Sequence, residues 1–136
     1  MAELSDEVRA LFEGPNYAHL ATIGPGGQPH SVPVWTTIED GKVAFFTQPA
    51  SRKARNVDAD PRVAVSIIDH ASPYRMATVR GRVVATRDGD AALEVMDRMA
   101  RKYTGEDFPM RSGRLYLIEP EREQSMNLPF AHRPQA

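Results

Sequence analysis

The 136-residue sequence contains no cysteine, and this absence removes several kinds of chemistry at once. Disulfides, thiolate-ligated zinc, iron–sulfur clusters and thiol nucleophiles all need a residue that the chain lacks. The four histidines, His19, His30, His70 and His132, do not show the spacing of metal ligands, so no metal site is expected. Redox chemistry in this protein therefore requires a bound organic cofactor.

Long apolar runs and an excess of one charge are also missing. No stretch approaches the roughly 20 apolar residues of a membrane helix, and the first residues lack the basic and apolar regions of a signal peptide. We therefore expect a soluble, cytoplasmic protein with no membrane partner. The 17 Lys and Arg residues balance 18 Asp and Glu residues, and no RNA-binding or helix-turn-helix signature occurs, so no nucleic-acid partner is expected.

The elements that are present predict one domain, covering residues 1–136, of the α+β class and mainly β. Helices are predicted at 5–12, in two turns after Ser51, and at about 90–103. Six strands are predicted at 17–23, 29–39, 42–47, 62–69, 75–86 and 114–118. Hairpin turns make the first three strands a meander in an antiparallel sheet that closes into a small barrel, and the tail after Pro120 is predicted to be irregular.

The second predicted strand contains a proline where a central strand needs a backbone donor. Pro33 has no N–H group, so it cannot donate to a neighbouring strand. The stretch is therefore predicted to be an edge strand, a bulge or a backbone surface offered to a ligand. A simple edge strand with Trp35 buried in a subunit contact explains the same pattern.

The segment that begins at Thr47 combines the features of a phosphate site. A strand end, a turn and a helix capped by Ser51 bring free N–H groups and two hydroxyls next to Arg52, Lys53 and Arg55. Cations at the positive end of a helix repel one another unless an anion is present. Two interpretations follow, either a bound phosphate or a capped helix with solvated cations.

Two further arginines, Arg80 and Arg82, share one face of the fifth predicted strand. Such a pair can line a groove for an anionic ligand or can simply be solvated. The alternation pattern alone is compatible with both.

A resemblance to a known family is carried by the segment Phe45-Phe-Thr-Gln-Pro-Ala-Ser-Arg-Lys-Ala-Arg-Asn56. It resembles the phosphate loop of the pyridoxamine 5'-phosphate oxidase-like superfamily of flavoproteins. Other stretches, at 20–35, 56–63, 73–75, 80–83 and 103–106, are similar to the branch that uses the deazaflavin coenzyme F420. The resemblance implies a six-stranded antiparallel split β-barrel, the FMN-binding split barrel, with flanking helices.

The resemblance also implies which residues meet the cofactor. Those implied at the cofactor phosphate are Thr47, Ser51, Arg52 and Lys53, with Asn56 nearby. Those whose backbone is implied to run along the ring system are Pro33, Val34, Trp35 and Thr36. Family members are homodimers with two cofactor sites at the interface. The residues expected to complete the pocket, some from the partner chain, are Tyr74, Arg75 and either Arg80 or Arg82.

The activity that the resemblance implies is hydride transfer between F420 and a small conjugated organic substrate. An FMN-dependent oxidoreductase of the same family and a non-catalytic flavin- or F420-binding protein are the alternatives. The acidic lactyl-glutamate tail of F420 suits the additional arginines, whereas the phosphate loop alone also suits FMN. Pyridoxamine phosphate oxidase itself is not expected, because its C-terminal substrate segment has no counterpart at 126–133.

Overall fold

The structure, a computed structural model, describes residues 3–135. Its helices are α1 (Asp6–Glu13), α2 (Arg52–Ala59) and α3 (Gly89–Thr104). Its strands are β1 (Ala18–Ile23), β2 (Pro29–Val34), β3 (Thr37–Glu39), β4 (Lys42–Thr47), β5 (Arg62–Ile68), β6 (Arg75–Arg87) and β7 (Arg114–Asn127). Among these described residues, no helix combines the length and apolar composition needed to cross a membrane.

The seven strands form one antiparallel sheet in the order β2-β1-β5-β6-β7-β4-β3. The two edge strands, β2 and β3, follow each other in the chain and are separated only by Trp35 and Thr36. The sheet must therefore curl until its edges meet at this connection, although no ladder joins β2 to β3 in the described residues. This arrangement is a split β-barrel, so the predicted fold class is confirmed, with seven strands instead of six.

The additional strand arises because the predicted strand 29–39 is interrupted at Trp35 and Thr36. The backbone N–H and carbonyl of Thr36 bond to side chains of α3, so they cannot take part in a ladder. Both predicted hairpin pairings are present, since β2 pairs with β1 and β3 pairs with β4, but the break places the two hairpins at opposite edges of the sheet, so they do not form one three-strand meander. The prediction that Pro33 lies on an edge strand is confirmed, and the missing donor costs no ladder bond there.

The chain after Pro120, predicted to be irregular, instead continues β7 as far as Asn127 and pairs with β6. Pro120 lies at a register shift opposite Gly81, where a residue without an N–H group is tolerated. A Cβ at Gly81 would come within 2.1 Å of the Glu119 carbonyl oxygen, so this close approach requires glycine. Pairing with β6 therefore keeps the chain extended past Pro120, although the local sequence pattern predicts that the strand ends there.

The core lies on both sides of the sheet, as the alternation along β7 shows. Tyr116 and Ile118 face one cluster, into which α1 packs, whereas Leu115 and Leu117 face a second cluster covered by α3. The α3 side chains in that second cluster are Ala92, Val95, Met96 and Met99, all of them buried. This packing fixes α3 against the outside of the barrel and brings its last turn to the connection between β2 and β3.

Candidate functional site

A cavity of about 390 Å³ opens where the sheet is split. Its lining comes from both sides of the split and consists of Tyr17, Pro33, Val34, Trp35, Phe46, Lys53 and Phe108. The volume lies in the range of small-molecule sites, which are mostly apolar with a few polar groups. One cation among aromatic rings, without an acidic side chain in the lining, suits a planar ligand that carries an anionic group.

The aromatic rings of the cavity form a connected series. Trp35 stacks on Tyr103 with ring centroids 5.1 Å apart and planes 9° apart, and it meets Phe46 edge-on at 6.2 Å. Phe46 in turn contacts Phe108 edge-on at 4.9 Å. The Tyr17 ring lies 5.5 Å from the Tyr103 ring. Because each ring is braced by the next, the apolar wall is held in a defined shape.

The polar end of the cavity is the start of α2. The Thr47 hydroxyl donates to Ser51 Oγ at 3.0 Å, and Ser51 Oγ accepts the Ala54 N–H at 3.2 Å as the helix cap. Lys53, in the first turn of the same helix, reaches the cavity lining. Hydroxyls, a cation and a helix N-terminus are therefore adjacent, which is the donor set that a phosphate group requires.

The structure brings together six of the predicted cofactor residues. Pro33, Val34, Trp35 and Lys53 line the cavity itself. Thr47 and Ser51 lie directly before Lys53 at the start of α2. Thr36 is fully buried and does not line the cavity, because its backbone is bound to α3.

Two other predicted phosphate residues, Arg52 and Asn56, lie at a separate depression of about 490 Å³. Arg55 and Arg62 also line this depression. The Asn56 side chain is buried and donates through Nδ2 to Thr22 Oγ1 at 2.9 Å. The side chain of Asn56 therefore ties α2 to β1.

The remaining predicted residues lie away from the cavity of their own chain. Tyr74 packs edge-on against Phe130 at 5.3 Å, and Arg75 forms an ion pair with Asp69 at 3.1 Å. Arg80 lines a third depression together with Arg82 and other arginines. None of these three side chains lines the cavity of its own chain.

Three residues of the lining, Tyr17, Phe46 and Phe108, are not among the predicted site residues. Phe46 could have been found, because Phe45 is buried in the core and its neighbour on a strand must face the other side. Tyr17 and Phe108 lie in connecting segments, and nothing local in the sequence marks them.

Two ionisable groups behind the cavity wall have shifted pKa values. Burial lowers the pKa of Lys102 to about 8, and the nearby Arg98 acts in the same direction while Glu13 opposes it. Burial likewise raises the pKa of Tyr103, although its hydrogen bond with Thr36 opposes that shift. Among residues 3–135, no group of three His, Asp or Glu side chains is placed to hold a metal ion.

Comparisons with known proteins identify the family. The family model described as Pyridoxamine 5'-phosphate oxidase matches residues 4–127. The pyridoxine/pyridoxamine 5'-phosphate oxidase of Thermosynechococcus vestitus is 31% identical over 94 residues, which make up 67% of this chain and 44% of that relative. The chain thus spans less than half the length of the curated relatives that it matches.

Solved structures show the same fold over most of the chain. An F420 reductase superposes with a TM-score of 0.75 and 29% identity, covering 85% of this chain and 94% of that one. A conserved hypothetical protein from Mycobacterium tuberculosis superposes with a TM-score of 0.79 and 25% identity, covering 100% and 97% of the two chains. Since the family model matches nearly all the described residues and the sheet is a split barrel, the chain belongs to the pyridoxamine 5'-phosphate oxidase-like family.

Proposed function

We propose that this chain is an F420-dependent oxidoreductase that transfers a hydride between the deazaflavin ring and a small conjugated organic substrate. The observation that carries the proposal is the position of Lys53, which lines an aromatic cavity directly after the Thr47–Ser51 hydroxyl pair. A phosphorylated tricyclic cofactor combines the two chemistries that this site offers, a flat apolar ring and a doubly charged ester.

The donor set fits such a cofactor. The Lys53 ammonium and the hydroxyls of Thr47 and Ser51 are the groups that would bind the phosphate, through charge-assisted hydrogen bonds. Trp35 and Phe46 would contact the ring and exclude water from it. When bound, the cofactor supplies the hydride chemistry, and the protein supplies position and electrostatics.

Two observations favour F420 over FMN. The F420 reductase resembles this chain over nearly its whole length, whereas the matched curated oxidases extend well beyond the matched part. In addition, Arg62 in the depression beside α2 is paired with Asp60 at 2.8 Å, which leaves Arg52 and Arg55 as the lining arginines without an ion pair among the described residues. F420 has an acidic tail beyond its phosphate, and these guanidinium groups are suited to that tail. FMN lacks the tail and is the second candidate.

We also propose that the protein is a homodimer in which the segment 74–80 of one copy completes the cavity of the other. Tyr74, Arg75 and Arg80 lie away from their own cavity, beside an apolar strip on the outer face of the sheet. The strip pairs Ile68 with Met76, and Met76 with Met126, and Ile68 and Met126 are 45% and 52% exposed. Sedimentation equilibrium is expected to give twice the 15.1 kDa mass of one chain.

The deciding experiment titrates the cofactor-free protein with F420 and with FMN. Trp35 is the single tryptophan of the chain, so quenching of its emission reports occupation of the cavity. We expect both cofactors to bind, and F420 to bind more tightly. The reduced complex is then offered a panel of quinones, enones and tetrapyrroles, and we expect at least one of them to reoxidise it.

A matched variant separates the two cofactors. Replacing Arg52 and Arg55 by glutamine is expected to weaken F420 binding by about two- to fivefold per arginine, typical of exposed ion pairs, and to leave FMN binding unchanged. Tighter binding of FMN in the wild type would favour the second candidate. Binding without any turnover would identify a non-catalytic carrier, and no binding of either compound would refute the proposal.

A further inference from the structure

The connection between β2 and β3 is fastened by the last turn of α3. The Thr36 N–H donates to Tyr103 Oη at 3.2 Å, and the Thr36 carbonyl accepts from Lys102 Nζ. Tyr103 Oη in turn donates to the Asn16 carbonyl at 2.6 Å, and Lys102 Nζ also donates to the Phe12 carbonyl at 3.0 Å. These two side chains, which we call the α3 clamp, join three segments that are distant in the sequence.

The α3 clamp meets the cavity lining through the Tyr103 ring, which stacks on Trp35 and also lies 5.5 Å from the ring of Tyr17. The Tyr103 ring lies nearly parallel to the Trp35 ring with the centroids 5.1 Å apart, whereas Phe46 meets Trp35 edge-on. Trp35 belongs to the cavity lining, whereas Tyr103 and Lys102 do not. Rotation of Trp35 is therefore limited by a stacked ring whose own hydroxyl is bonded to the backbone of Asn16 and of Thr36.

The composition of the α3 clamp is unusual for a purely structural contact. Lys102 is half-buried, and its hydrogen-bond partners within residues 3–135 are two carbonyl oxygens, without a carboxylate. A cation in such a place is less favourable than an apolar side chain of similar size. Lys102 instead contributes a defined geometry. Its one ammonium group binds the carbonyls of both Phe12 and Thr36, and this fixes the backbone path between β2 and β3.

We propose that Tyr103 and Lys102 are positioning residues that set the orientation of Trp35 and thereby shape the cavity for a planar ring. They act through the Trp35–Thr36 connection and do not touch the ligand. The inference rests on the proposed function only where cofactor affinity is concerned. The orientation of Trp35 can be measured without any cofactor.

The test compares two Tyr→Phe variants. Tyr103→Phe keeps the stacked ring but removes the hydroxyl that bonds Thr36 and Asn16, while Tyr116→Phe makes the same change at a core tyrosine stacked on Phe45. In the cofactor-free protein, we expect Tyr103→Phe to raise the acrylamide quenching constant of Trp35 about twofold and to lower its anisotropy. The same variant should bind the cofactor about three- to tenfold more weakly, because small misplacements of a site wall are costly. Tyr116→Phe should change neither the quenching and anisotropy of Trp35 nor the cofactor affinity.

Lys102→Met provides a second variant that keeps an unbranched side chain and removes the donor to the Thr36 carbonyl. It should increase Trp35 quenching in the same direction, and it replaces Tyr103→Phe if that variant does not fold. A lower thermal midpoint with unchanged Trp35 quenching would overturn the proposal, and so would increased quenching with unchanged cofactor affinity. Increased quenching in a protein whose wild type binds neither cofactor would keep the Trp35 assignment and refute the proposed function instead.

Discussion

Two lysines, one at the start of α2 and one at the end of α3, have different surroundings. Lys53, at the start of α2, lines the cavity beside two hydroxyls. Lys102, at the end of α3, lies behind the cavity wall with its ammonium group bonded to the carbonyls of Phe12 and Thr36. The comparison shows that residue type alone does not distinguish a lysine that lines a cavity from one that binds the backbone. Under the proposed function, the α2 side offers its cation to a ligand, whereas the α3 side uses its cation to hold the backbone.

The largest difference between the two lysines is expected in cofactor affinity when Lys53 is replaced. Under the proposed function, Lys53→Met removes a charge-assisted contact to the cofactor phosphate, which is worth about 1.5–3 kcal/mol. We therefore expect the affinity for both F420 and FMN to fall by about 10- to 100-fold, with little change in thermal stability. Titration by Trp35 quenching, together with a thermal scan, measures both quantities.

Lys42→Met is the matched control for this prediction. Lys42 lies on β4, 3.6 Å from a carboxylate oxygen of Glu119, and does not line the cavity. Its replacement should leave both affinities unchanged. If the two variants behave alike, the phosphate cannot be held at the start of α2.

The α2 side could be predicted from the sequence because all its signals are local. Thr47, the Ser51 cap and Lys53 lie within seven positions, and hydrogen bonding of a cap to its own helix brings them together without help from the rest of the fold. The α3 side could not be predicted in this way. Thr36 and Tyr103 are 67 positions apart, and only the packing of α3 on the barrel makes them neighbours.

The same distinction between local and long-range interactions explains which parts of the fold could be predicted from the sequence. The helix starts at Ser5 and Ser51 were predicted because each cap is a local signal, and the structure shows both caps. The break at Trp35–Thr36 and the continuation of β7 past Pro120 depend on partners far away in the chain. The wrong predictions therefore concern strand ends, where tertiary hydrogen bonds override the local pattern.

A second prediction concerns Asn56, which the resemblance places near the phosphate and the structure places against Thr22. Asn56→Leu leaves the buried Thr22 hydroxyl without its partner and should destabilise the fold by about 1–3 kcal/mol. Adding Thr22→Val removes the second polar group and should recover part of that loss. Denaturant unfolding of the single and double variants measures the coupling.

Cofactor affinity separates the two roles of Asn56. A tie between α2 and β1 predicts that the double variant, once folded, binds the cofactor nearly as well as the wild type. A contact with the phosphate predicts that affinity stays low in the double variant, whatever its stability. The second result would assign Asn56 to the same task as Lys53.

The smallest expected effect is the pH dependence that Lys102 gives to the free energy of unfolding. Because burial lowers the pKa of Lys102 from its ordinary value of 10.5 to about 8, the unfolded chain holds a proton that the folded chain has released between these two values. Stability must therefore rise with pH in that interval. The rise should be about 1 kcal/mol or less, because the half-buried ammonium group is partly screened by water.

Lys102→Met isolates this contribution, since methionine does not titrate. The stability of the wild type minus that of the variant should increase from pH 7.5 to pH 9.5, an interval that ends before tyrosines of the unfolded chain ionise near pH 10. Glu13 raises the pKa of Lys102, so Glu13→Gln should move the midpoint of this increase to lower pH. A difference that stays flat, or falls, would mean that Lys102 is as solvated as an ordinary surface lysine. Lys102 would then not differ from Lys53 in the way described above, because a solvated ammonium group does not hold the Thr36 carbonyl in place.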